Sequence, residues 1–204
     1  MSIIFSSSQN LDSKKCGCVS LGLAGLVMFF PYMQPFTGTH TREAIELAEA
    51  WGFKVRTMKG FTWVKLNALA EQHINKALQA GSVDDFYDFL DLLNAQTRMN
   101  GGNHTRANTE DLLIATRGKG LERQNASVKQ VIYSPLGEHS QKPAEARYRL
   151  EKLYGDVSRI ELFSRSAAPG WHHWGNEAEN PDVIMFPGYV CKPAPLLEVA
   201  YAGR

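Results

Sequence analysis

The stretch from His139 to Glu177, HSQKPAEARYRLEKLYGDVSRIELFSRSAAPGWHHWGNE, constrains this chain more than any other. It reads as a loop, a helix, a short strand and a polar loop, in that order. Ser140 is placed to cap the helix and Pro143 to sit in its first turn. Ala146, Leu150 and Leu153 recur at helical spacing and face a core. Arg147 and Glu151 are spaced to pair, and Gly155 ends the helix. In the strand that follows, Ile160 and Leu162 point to one side and Glu161 and Phe163 to the other. A helix feeding a strand that ends in a polar loop is half of an α/β crossover. Folds of that kind bind ligands outside the carboxyl ends of their strands.

Upstream, the same alternation of helix and strand continues. Residues 39–52 form a helix with Ala44, Leu47, Ala48 and Trp51 on one face and Gly52 as its stop. Residues 53–65 favour strand through Val55, Thr57, Phe61, Trp63 and Val64, with a turn or bulge near Gly60. Residues 66–97 are helical in two pieces, split at Gly81-Ser82, with Ser82 as the N-cap of the second. There Phe86, Phe89, Leu90 and Leu93 make an apolar stripe. A Gly/Asn-rich loop spans 98–110. DLLIATRG and VKQVIYSP read as buried strands, joined by the basic, flexible RGKGLERQNAS. Arg106, Lys119 and Arg123 are the candidates for phosphate contacts in these loops; ordinary solvated charge explains them equally well.

The two ends of the chain differ from this pattern. Residues 1–36 are polar as far as Lys15 and then almost purely apolar. Two lysines before an apolar run imitate a membrane anchor, but Gly17, Gly22 and Gly25 thin the run, and Pro31 and Pro35 end it. An atypical leader packing on the domain is the plainer expectation. Residues 181–204 read as a loose tail.

Several function classes drop out. A net charge of +1 gives no global basic field, so nucleic acid would need a local patch. Cys16, Cys18 and Cys191 make neither a disulfide framework nor a zinc set, which favours a reducing, cytoplasmic compartment. The adjacent His172 and His173 lack zinc spacing. Asp84, Asp85, Asp88 and Asp91 lie at helical spacing without an oxygen-rich loop, which describes a solvated, dipole-compensating face better than a metal site. No GxGxxG or GxxxxGK spacing occurs.

Taken in order, HSQKPAE, LEKLYG, RIELFSR and PGWHHWGNE resemble the C-terminal half of the MT-A70-like adenine N6-methyltransferases, and the phage and prophage DNA enzymes most closely. TGTHTREAIELAEAWGFKVRTMKGFTWVKLN and NGGNHTRANTEDLLIATRGKG extend the likeness, which covers residues 37–180 with 66–97 as a helical insertion. The resemblance implies a permuted, Rossmann-like α/β fold that binds S-adenosylmethionine and acts on adenine in DNA, with room for a partner subunit. It implies cofactor-binding roles for Lys142, Glu161, Phe163, Arg165, Asn176 and Glu177. Lys142 matches a cofactor-contacting lysine, Glu161 the acid that orients the cofactor, and Asn176 the asparagine that hydrogen-bonds its ribose. Without the likeness, Glu161 reads as a strand-end residue paired with Arg159 or Lys152, and Arg165 as a surface cation.

One departure matters. The family's chemistry uses an Asp-Pro-Pro-Trp or Asp-Pro-Pro-Tyr motif that holds the exocyclic amine and stacks on the extruded base. No Asp-Pro-Pro occurs in this chain, and Phe30-Pro31-Tyr32 has the ring without the acid. The likeness begins abruptly at Thr37. The expectation is therefore that the usual N-terminal segment was replaced by frameshift, truncation or recombination in a prophage gene. Sequencing the DNA upstream tests this: an Asp-Pro-Pro-Trp remnant is expected in some frame, and its absence from every frame sinks the idea.

Overall fold

The computed structural model describes residues 3–7, 18–19, 25–29, 41–101, 104–137, 141–164, 166–175, 184–186 and 189–191. Its elements are β1 (Ile3–Ser7), β2 (Cys18–Val19), β3 (Gly25–Phe29), α1 (Thr41–Ala50), β4 (Lys54–Leu66), α2 (Ala70–Gln79), α3 (Phe86–Ala95), β5 (Thr109–Thr116), β6 (Val131–Pro135), α4 (Ala144–Tyr154), β7 (Ser158–Leu162), β8 (His172–Trp174), β9 (Ile184–Phe186) and β10 (Tyr189–Cys191). Among the described residues, seven strands form one sheet in the order β6-β4-β5-β3-β1-β7-β8. β4 and β6 are parallel, as are β7 and β8. β5 runs against both β4 and β3, and β1 against both β3 and β7. These pairings make β6 and β7 parallel, so β6–α4–β7 is the crossover expected around residue 139.

The alternation of side chains along the strands explains the two layers. Leu113 and Ala115 of β5 and Ile160 and Leu162 of β7 face α1, whose Ala44 and Ala48 are small enough to let the helix sit close. Leu112 of β5, Phe61 and Trp63 of β4 and Ile132 of β6 face the other way and pack under Ala146 and Leu150 of α4. One helix thus covers each face, which is the α/β architecture expected from the sequence. The bulge expected near Gly60 is present. The β4–β5 register shifts between Val55 and Thr57 and again between Thr57 and Phe61, and a Cβ at Gly60 would overlap Ile114.

Four local expectations need correction. Ser82 does not cap α3. Its hydroxyl donates to the Ala77 carbonyl at 2.9 Å, which closes α2 after the left-handed Gly81. Asp85 is the cap instead: it accepts from the Tyr87 and Asp88 N–H groups while Asp88 accepts from Asp85. This is a capping box built from two aspartates, which share a short side chain with Ser/Thr and an acceptor with Glu. Pro143 lies one residue before α4, in extended backbone, rather than inside the first turn. The leader also does more than pack on the domain, since Ile3–Ser7 of its polar part and Gly25–Phe29 of its apolar run are strands standing between β5 and β7. At the other end, Tyr189–Cys191 pairs with Ile184–Phe186 and with Cys18–Val19 in a three-stranded sheet where a loose tail was expected. Ser140 lies outside the described residues. No helix of the described residues is long and apolar enough to cross a membrane.

Gly155 ends α4 as expected, at φ +71 and ψ −151, a region that essentially only glycine occupies. Gly155→Ala is expected to cost about 1–3 kcal/mol of folding stability. A urea titration checks this; an unchanged midpoint would show that the turn relaxes.

Candidate functional site

Strand direction brings the sequence-predicted residues to one end of the sheet. Lys65 lies near the carboxyl end of β4 and Glu161 near that of β7, while Glu110 opens β5, which runs the opposite way. All three therefore sit at the same rim. Lys142 reaches that rim from the loop before α4. Carboxyl ends of parallel strands are where open α/β sheets hold ligands.

At the β4–β5 side, Lys142 and Lys65 share the carboxylate of Glu110. The Lys142 ammonium engages Oε1, and the Lys65 ammonium engages Oε2 at 2.8 Å. The side chains are 5 %, 10 % and 2 % exposed respectively, so this is a desolvated cluster rather than a surface pair. Lys65 also lies 5.4 Å from the centre of the Trp63 ring, and the Trp63 indole N–H donates to the Ser134 carbonyl at 3.0 Å.

At the β7 side, Glu161 is buried on the face under α4 and accepts from Arg147 Nε at 2.9 Å. Its partner is thus neither Arg159 nor Lys152. Arg159 reaches the Gly155 carbonyl, and Lys152 lies over Tyr148. Arg147 does not pair with Glu151 either. Glu151 accepts from the Trp171 indole N–H at 2.6 Å, and the i,i+4 pair of this helix is Arg149 with Glu145. Strand pairing sets buried His173 beside Glu161.

Beyond the strand the backbone turns sharply. Phe163 adopts φ +59, is exposed, and sets its ring edge-on to Trp174 at 5.5 Å. The Ser164 N–H donates to the Trp174 carbonyl at 2.9 Å. Gly175 follows, where a Cβ would overlap the Ser164 carbonyl oxygen, so two loop backbones meet in van der Waals contact at the rim. Arg165, Asn176 and Glu177 lie outside the described residues. Arg106, Lys119 and Arg123 are exposed on loops; Arg106 precedes β5 at the end that carries Glu110, and Lys119 and Arg123 follow its other end. Burial pushes the phenol of Tyr154, at the end of α4, above its usual range. Among the described residues no group of three or more histidine, cysteine, aspartate or glutamate side chains is arranged to hold a metal ion.

Glu110, Lys65 and Arg147 are the site members that sequence reasoning did not single out. A signal for the first two was present: at period two, Lys65 follows Phe61 and Trp63 onto the inward face, and Glu110 shares its face with Leu112. A charge on an inward face calls for a buried partner. The set places lysine cations, of a type that meets an anionic group, at one side of the rim and a carboxylate, of a type that accepts from hydroxyls, at the other.

Breaking the second pair should be costly. Arg147→Met leaves Glu161 buried without its cation and is expected to destabilise by about 1–3 kcal/mol. Combining it with Glu161→Gln should recover part of that loss. Denaturant titrations of the two single variants and the double check it; strictly additive losses would mean that the two groups are not coupled.

Comparison with known proteins agrees with this geometry. The MT-A70 family model matches residues 91–177, which include Glu110, Lys142, Arg147 and Glu161. Type II methyltransferase M.MunI from Mycoplasma sp is 28% identical over 142 residues, covering 69% of this chain and 47% of that protein. The chain thus spans about half the length of the curated relative it matches. The crossover and the rim thus lie largely in the segment, residues 91–177, that is similar to the MT-A70 family.

Proposed function

We propose that this chain is a DNA adenine N6-methyltransferase of the phage or prophage type, with S-adenosylmethionine as methyl donor. The observation that supports the reading is that a buried cation, Lys142, and a buried carboxylate, Glu161, stand in separate clusters along one rim of the sheet. The donor set fits the cofactor. Lys142 would meet its carboxylate and Glu161 its ribose hydroxyls, and the glycine-lined approach of Gly175 to Ser164 leaves backbone close enough to line the pocket. Phe163, exposed at its strained turn, would cover the bound ligand together with Arg165, Asn176 and Glu177. Once bound, the cofactor supplies a methyl group made electrophilic by its sulfonium. The chain's own part is to fix that donor in place and keep water from it. Arg106, Lys119 and Arg123 would contact DNA phosphates, and a target adenine would leave the duplex to reach the rim.

A second reading rests on one sequence fact, the lack of any Asp-Pro-Pro to hold the adenine amine. Under it the protein is a pseudo-methyltransferase remnant that binds cofactor or DNA, alone or with a partner subunit, and transfers nothing. Purified protein, labelled cofactor and unmethylated duplex DNA separate the two readings. Label in the adenine amine supports the enzyme, provided Lys142→Ala lowers cofactor affinity at least about tenfold. Calorimetric binding without transfer supports the remnant. Neither binding nor transfer overturns both.

A further inference from the structure

We propose that Lys65 is a positioning residue for the carboxylate end of the cofactor, acting through Glu110 and Lys142; the inference rests on the cofactor reading above. Glu110 carries one negative charge, and each of its oxygens is taken by a different ammonium. Lys65 thereby divides the charge of Glu110. If Lys65 were absent, the whole carboxylate would turn to Lys142, and the ammonium meant for a ligand would be held in a closed pair. In a corner where all three side chains are at most a tenth exposed, little solvent screening softens that change.

Lys65 is built to hold this position. Its N–H donates to the Asn108 carbonyl at 2.9 Å, and its carbonyl accepts from the Arg98 N–H at 2.7 Å. The stem is therefore clamped from the backbone, while the Trp63 ring lies beside the ammonium. A lysine there for stability alone would be a poor choice, because desolvating a second cation against a single carboxylate is costly and an apolar residue of the same length would serve as well. The arrangement is accounted for if the second cation adjusts the first.

The test uses the full chain and two ligands, S-adenosylhomocysteine and its decarboxylated form, measured by calorimetry. Lys65→Met is expected to weaken S-adenosylhomocysteine roughly tenfold and to leave the decarboxylated ligand within about twofold of wild type. Lys65→Arg, which keeps the charge, should restore most of the loss. Equal weakening for both ligands would make Lys65 a structural residue and overturn the proposal, as would unchanged affinity for both. If Lys65→Met does not fold, Lys65→Arg together with Glu110→Gln decides the matter. Glu110→Gln frees the Lys142 ammonium, so selective tightening of the carboxylate-bearing ligand, with Lys65→Arg near wild type, supports the proposal; unchanged affinity, a loss, or an equal change for both ligands sinks it. Wild-type protein that binds neither ligand overturns the cofactor reading itself, a result distinct from any of these.

Discussion

A carboxylate buried beneath a helix has to be met by a cation, and two such carboxylates fix where α4 lies. Glu110 on β5 and Glu161 on β7 are both on the face that α4 covers. Their cations come from residues five apart in sequence, Lys142 just before the helix and Arg147 in its second turn. The apolar contacts of Ala146 and Leu150 hold the helix to the sheet but tolerate sliding, because apolar burial is non-directional. The ion pairs do not tolerate it, since a slide draws Lys142 from Glu110 and leaves Glu161 without its cation, at a cost of about 1–3 kcal/mol for the second alone. Hydrophobic packing thus sets the distance of α4 from the sheet, and charge sets its register along it.

The same logic ties α2 and α3 to the site. Leu66 and Thr97 form a bridge at the neck of α2 and α3, with the Asn67 N–H on the Gln96 carbonyl and the Arg98 N–H on that of Lys65. Lys65 is therefore both a strut of the neck and a member of the charge cluster. Displacement of these helices, whose Phe86, Tyr87 and Leu90 are exposed, would be felt at Glu110 through one residue, Lys65. The basic loop of Lys119 and Arg123 meets α4 at its far end instead, where the Gln124 N–H donates to the Leu153 carbonyl at 2.8 Å.

The parts legible in the sequence were those set by local rules. Gly52 and Gly155 end helices because each takes a positive φ, and Gly60 marks a bulge because β5 lies too close for a Cβ. The helix, strand and loop after residue 141 followed from periodicity. What local rules could not supply was partner choice. Arg147 has Glu151 one turn away and takes Glu161 fourteen residues on, because Trp171 claims Glu151 from a loop that periodicity cannot place. Ser82 looked like a cap but follows Gly81, whose left-handed backbone turns its hydroxyl back on α2. Sheet order was likewise hidden. An apolar run rich in glycine says that a segment is buried, not that it enters between β5 and β7.

That placement has a consequence for the site. Between Glu110 and Glu161 stand β3 and β1, so the two acids are three strand spacings apart, about 14 Å. No single side chain bridges that gap, and the two clusters cannot be one ion-pair network. α4 spans them among the described residues, and a ligand long enough to meet a lysine at one end and a carboxylate at the other would span them too. A compact anion would use one cluster and leave the other idle. An extended ligand with a carboxylate and a distant pair of hydroxyls would use both. The separation set by the strand order therefore suits an extended ligand better than a simple phosphate, and the cofactor proposed above is of that kind.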